Sequence, residues 1–215
     1  MIKPLCNIIQ WAREQGRSHP KIRGVFWVGA SFIFMGMPNM MTATLVPEMN
    51  MDVATCIVMP VIILMMFALQ KDNAGKPTFR SVLLMILAGA SAAAIFSFFM
   101  DGVKIKGNPE ELSWFHYVAA FASAAILIPI YEEKLCRGLQ LEGLQAIAGN
   151  VAAILATSIL FSLAHKGNEI ATFIHAIILA SLAVYCRMGT IARAAAHGAY
   201  NFTLYLYALF YIMSP

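Results

Sequence analysis

Long stretches of this chain carry no charge at all: none between Tyr117 and Tyr131, and none from Gly143 to Ala164. A run of about 20 apolar residues is the length of helix that crosses a hydrocarbon layer. Seven such stretches follow one another, at roughly 25–47, 53–70, 81–100, 114–141, 147–165, 169–186 and 190–212. With 60% hydrophobic and 12% charged residues and a mean hydropathy of +0.72, the solvent for most of the surface is lipid. The 215 residues suit one bundle and leave no room for a second domain. The fold class expected is all-α, a polytopic membrane bundle of about seven transmembrane helices.

The charges set its orientation. The net charge is +4, from 15 Lys and Arg against 11 Asp and Glu, and the cations lie in loops and at the N-terminus rather than in one stripe. That distribution speaks against nucleic acid as a partner and for a lipid bilayer. Residues 1–24 hold Lys3, Arg13, Arg17, Lys21 and Arg23 against Glu14 alone. They read as a retained, basic segment on the membrane surface, preceding a single transmembrane domain at 25–215 with a catalytic core at about 114–212. Lys71, Lys76, Arg80, Arg187 and Arg193 fall on the same side as these five, Lys104, Lys106 and Lys166 on the other. An N-terminus in the cytoplasm and a C-terminus outside follow, with a bacterial cytoplasmic membrane as the expected setting. Cys6, Cys56, Cys136 and Cys186 are widely spaced and read as small buried hydrophobes, not as disulfides or a thiolate zinc site. Pro47, Pro60 and Pro129 read as helix ends or kinks.

Against this background three polar clusters stand out. From Glu132 to Glu142, eleven residues hold five charges. At 100° per residue Glu133 and Arg137 share a face and can pair, whereas Glu132 points about 140° away from Arg137. The two acids therefore have different work: Glu133 neutralises Arg137, and Glu132 can address a water or a substrate. A helix emerging among headgroups would also carry such charges. Further on, His165 follows a long apolar run with Phe161 one turn before it, and His197 and Asn201 share a face among small residues that let helices approach closely. A polar pair that joins helices would look the same. His19, His116 and His175 lack such spacing and read as interfacial or packing residues.

The ordered set E-E-x-x-x-R at 132–137, F-x-x-x-H at 161–165 and H-x-x-x-N at 197–201, on successive helices, resembles the signature of the CAAX protease and bacteriocin-processing (CPBP, or Abi) family of intramembrane endopeptidases, the type II CAAX prenyl endopeptidases among them. The resemblance covers about residues 128 to 201. Two positions depart from the pattern: Cys136 stands where the family usually has an aromatic residue, and His175 where it often has Gly. Both bear on substrate fit rather than on chemistry.

The resemblance implies hydrolysis of a peptide bond in a membrane-embedded or lipidated peptide or protein. Position by position, Glu132 would activate water with His165 helping to hold it, His197 and Asn201 would stabilise the oxyanion, and Glu133 and Arg137 would support the acid. No cofactor is needed on this reading. A zinc ion held by the same Glu and His residues is the rival, although no close-spaced ligand pair is present and Asn201 is a poor zinc ligand. A non-enzymatic immunity or transport protein would also bury such groups. For Glu132 and His165 to share a water on neighbouring antiparallel helices, the turn must lie midway, at Gly149 and Asn150. The fourth helix must then continue well past Arg137, each arm being about 25 Å at 1.5 Å per residue.

Overall fold

The computed structural model describes residues 19–72, 77–98 and 113–213. Lys3, Arg13, Arg17 and Cys6 of the basic N-terminal segment, and Lys76, Lys104 and Lys106 of the loops, lie outside the described residues. Seven helices are present among the described residues, and no strand: α1 (Pro20–Leu45), α2 (Met51–Leu69), α3 (Phe79–Phe98), α4 (Trp114–Ala148), α5 (Asn150–Leu163), α6 (Glu169–Tyr185) and α7 (Thr190–Met213). This is the all-α membrane bundle expected. Four helices, α1 to α4, are long and apolar enough to cross a membrane, while α5 and α6 are shorter apolar helices. Large apolar side chains such as Ile33, Leu64, Ile95 and Val151 are exposed, as lipid-facing residues would be.

The helix ends follow from local chemistry. Pro20 opens α1 at the first helical position, where its missing N–H costs nothing. Pro47 lies in the turn after α1, whereas Pro60 sits inside α2 and Pro38, unremarked in the sequence, inside α1. The fourth helix runs on past the apolar stretch 114–141 to Ala148, because Leu141–Ala148 holds no proline and buries Leu141 and Gly143. Gly149, at φ +83°, makes the turn, and α5 begins at Asn150. The midpoint turn and the unbroken fourth helix are therefore as the spacing requires.

Two stretches of α4 are not α-helical. Ser123–Leu127 and Glu133–Gln140 are π-helical, with hydrogen bonds one residue longer than the regular turn. Such segments are rare and concentrate at functional sites.

Contacts divide the chain into two compact units: Met1–Met37 with Leu64–Gly75 and Glu133–Thr190, and Pro38–Ile63 with Lys76–Glu132 and Ile191–Pro215. In the first, α5 packs along α6 around Leu141, Ala153, Ile154 and Ala180. There Gly24 and Gly143 bring two backbones together, since a Cβ on Gly24 would lie 2.5 Å from the Gly143 carbonyl oxygen. In the second unit, Gly198 meets the Ala125 carbonyl and Gly89 the Ala196 carbonyl so closely that neither position admits a side chain without movement.

Candidate active site

The central part of the polar cluster of α4 is buried, with Glu132 and Glu142 at its ends partly accessible. All eight residues of the π segment Glu133–Gln140 are inaccessible, including Glu133, Lys134 and Arg137. Charges in such a place persist only when paired and hydrogen-bonded. Arg137 Nη1 donates to Glu133 Oε1 at 3.0 Å, and Nη2 reaches the Ala176 carbonyl oxygen at 3.4 Å. The guanidinium also lies over the Phe161 ring, 4.5 Å from its centroid. On Phe161 the His165 imidazole stacks at 4.4 Å, and His165 Nδ1 is 2.7 Å from the Phe161 carbonyl oxygen. A carbonyl oxygen can only accept, so Nδ1 carries the proton, and in the neutral ring the lone pair is on Nε2. Glu133, Arg137, Phe161 and His165 thus form one continuous stack within the first unit.

Lys134, fully buried, is paired differently. Its Nζ donates to Asp72 Oδ1 at 2.8 Å and sits 4.6 Å above the Phe67 ring. Asp72 also accepts from the Thr190 amide, at 2.9 Å on Oδ2, and from the Thr190 hydroxyl, at 2.9 Å on Oδ1. Burial pushes the Asp72 carboxyl up, but the hydrogen bond and charge of Lys134 and the two bonds from Thr190 outweigh it and hold the group below its usual range. Two residues earlier, Gln70 Nε2 donates to the Gly138 carbonyl at 2.8 Å and to Glu142 Oε2 at 2.7 Å.

In the second unit, Glu132 closes the regular turn Ile128–Glu132 and its Oε2 lies 3.6 Å from His197 Nε2, an ion-pair distance too long for a hydrogen bond. His197 is buried, and Glu132 keeps 20% of its side chain accessible. The adjacent acids therefore face different partners, as the helical phase implied.

Asn201 Nδ2 donates to the Ala124 carbonyl at 3.1 Å. The reason lies in Pro129. Across the π segment Ser123–Leu127 the Ile128 amide bonds to the Ser123 carbonyl, so the next donor, for Ala124, would be the amide of residue 129, which proline lacks. Asn201 supplies it, using one of its two N–H groups. Joining helices is thus part of its work. Beside these residues an apolar cavity of about 320 Å³ is lined by Ile86, Phe121, Ile130, Ala194, Gly198 and Phe202, among others, but not by Glu132, His197 or Asn201.

His116 Nδ1 bonds to Ser113 Oγ at 2.8 Å at the start of α4, fitting an interfacial residue. Cys136 is buried as expected, Cys56 is half-buried, and Cys186 is exposed, because it caps the end of α6; none of the three described cysteines is in a disulfide. Among the described residues no three His, Cys, Asp or Glu side chains are grouped as a metal site would need. The sequence reading missed Gln70, Asp72 and Thr190. A lysine in the middle of a buried charged run needs an acid of its own, and Asp72, the one acid in a basic loop, was the available signal.

The first unit thus holds a buried acid–arginine pair with a histidine stacked in the turn after α5, and the second an acid facing a histidine; ionisable groups buried among membrane helices mark functional sites. Residues 114–203, which contain all three motifs, match the family model described as type II CAAX prenyl endopeptidase Rce1-like. That family is the one whose signature the three motifs resemble, matched here over residues 114–203 of the 215, and the long apolar helices fit an integral membrane protein. No curated protein and no solved structure matches the chain.

Proposed function

We propose that the chain is an endopeptidase in which Glu132 is the general base for a water that attacks a peptide carbonyl within the membrane. The observation that carries this reading is the division of labour between the two acids: Glu133 is consumed by Arg137 at 3.0 Å, while Glu132 stands 3.6 Å from His197 and keeps partial access. Glu132 takes the proton of the attacking water, a step in which the family resemblance also gives His165 a part. The carbonyl oxygen gains negative charge as the tetrahedral intermediate forms, and His197 with the second N–H of Asn201 donates to it. The proton on Glu132 then passes to the departing amide nitrogen, and the C–N bond breaks.

No cofactor enters this scheme; the chemistry rests on protein groups. The proposed topology has the N-terminus in the cytoplasm, following the basic loops. The substrate class is a peptide or protein held at the membrane by a lipid or by its own apolar segment. The test is cleavage of an internally quenched, farnesylated CAAX peptide by the purified protein in nanodiscs. Glu132→Gln should lower turnover by roughly 10²–10⁴-fold, the usual contribution of a general base. Near wild-type turnover by this variant would remove Glu132 from the mechanism.

A further inference from the structure

The loop after α2 lies outside the segment that the family model covers, yet its Gln70 and Asp72 both bind the π segment of α4. Asp72 spends its carboxylate on three donors from two places: Lys134 Nζ at 2.8 Å, and the Thr190 hydroxyl and amide, each at 2.9 Å. Thr190 is the first residue of α7, whose leading amides have no partner within the helix, so an anion there is favoured by both hydrogen bonding and the helix dipole. Lys134 is two residues from Glu132. His197 lies seven residues beyond Thr190 on the same helix, about 10 Å along its axis.

A second member of the same loop acts on the same segment. Gln70 donates to the Gly138 carbonyl, in the stretch where π-helical spacing disturbs the regular backbone ladder. Gly138 itself leaves room for this arrangement, since a Cβ there would lie 3.0 Å from Lys134 Cδ and 3.2 Å from Gln70 Oε1. A π segment interrupts the regular i→i−4 ladder, and a side-chain donor on one of its carbonyls adds a supporting bond from outside the helix. Gln70 and Asp72 supply that support at Gly138 and at Lys134.

We propose that Asp72 is a positioning residue: by binding Lys134 and the first turn of α7 together, it sets the π segment beside Glu132 and the start of the helix that carries His197 and Asn201. It touches no reacting atom, and its consequence for catalysis rests on the reading of Glu132 and His197 given above. Asn at this position keeps the shape but has a single acceptor oxygen. With Asp72→Asn the negative charge and one acceptor oxygen are lost, so the hold on Lys134 and the hold on Thr190 are both weakened.

The test is hydrogen–deuterium exchange of the full-length protein in nanodiscs, for the wild type, Asp72→Asn and Lys134→Met. Asp72→Asn should raise exchange at least tenfold in residues 190–193 and in 133–140, leaving α5 unchanged. Lys134→Met should raise it in 133–140 alone, because Asp72 still holds Thr190. Unchanged exchange at 190–193 in Asp72→Asn would overturn the proposal, as would an equal rise throughout the chain, which marks general loosening. On the farnesylated CAAX peptide, Asp72→Asn should lower kcat at least tenfold when turnover is counted per folded molecule, the folded fraction being read from the protection of Cys136 against a thiol-reactive dye; wild-type kcat in a variant with loosened 190–193 would also overturn it. If the wild type fails to cleave the peptide, the protease reading has failed on that substrate, and the exchange result alone decides whether Asp72 positions these segments.

Discussion

Replacing Glu133 by Gln is expected to destabilise the protein strongly while barely changing its shape. Both members of the pair are out of contact with the surroundings, with side-chain accessibilities of 1% for Arg137 and 0% for Glu133 at 3.0 Å separation. Gln conserves volume and still offers one acceptor oxygen, so what disappears is the negative charge. Arg137 keeps the Ala176 carbonyl and the Phe161 ring, neither of which neutralises it. An uncompensated charge in such a place costs about 3–5 kcal/mol. At about 2–4 °C per kcal/mol for a chain of this size, Tm should fall by roughly 6–20 °C. The adjacent Cys136, 6% accessible, provides the assay: with Cys6, Cys56 and Cys186 replaced by Ser, a thiol-reactive dye reports the temperature at which Cys136 is exposed. The double variant Glu133→Gln with Arg137→Gln removes both charges and should regain at least half of the loss, because the penalty comes from the orphaned cation. A Tm shift below about 2 °C for the single variant, or a double variant no better than the single, would refute this account of the pair.

Four further outcomes are expected. Glu132→Gln should leave the Cys136 melting temperature within about 2 °C of wild type, equivalent to under ~1 kcal/mol, so that its loss of turnover is chemical. Asn201→Ala should cost about 1–3 kcal/mol by leaving the Ala124 carbonyl unsatisfied; with Pro129→Ala, which restores the missing N–H, the cost should shrink, and an unchanged cost by the same melting assay would disprove the link. Peptide cleavage should survive prolonged chelation, and activity lost to chelator and regained with zinc would move the mechanism to the metal. Because the Asp72 carboxyl is held low in the folded state, its stabilisation should be fully present above the unfolded value of about 4 and be lost as pH falls through the folded value. The destabilisation by Asp72→Asn should therefore be full at neutral pH and fade in acid, as followed by melting across pH.

What the sequence made legible was local. The Glu133–Arg137 pair, the Phe161–His165 turn and the Gly149 break each depend on residues within five positions of one another, and the apolar runs marked the helices. The rest is non-local. Lys134 finds its acid 62 positions away and Thr190 finds the same acid at 118, distances over which a single sequence carries no phase information. The π segments were illegible for the same reason: apart from Gly138, nothing in E-K-L-C-R-G-L-Q marks a departure from regular helix, and what accompanies the widening is support from Gln70 and Asp72 outside it. Asn201 was legible as a polar residue on the histidine's face, but its bond to Ala124 depends on a proline on another helix. Cys186 misled because an apolar run ends in a turn that turns its last residue outward.

The central claim, that Glu132 activates water for peptide hydrolysis, is tested most directly by isotope. Purified wild-type protein and Glu132→Gln, matched for melting temperature, are incubated with the farnesylated CAAX peptide in ¹⁸O-water, and the products are read by mass spectrometry. The account expects a single scissile bond in the wild type, with one ¹⁸O in the new carboxylate, and no product from the variant above the uncatalysed background. Equal product from both proteins would contradict it.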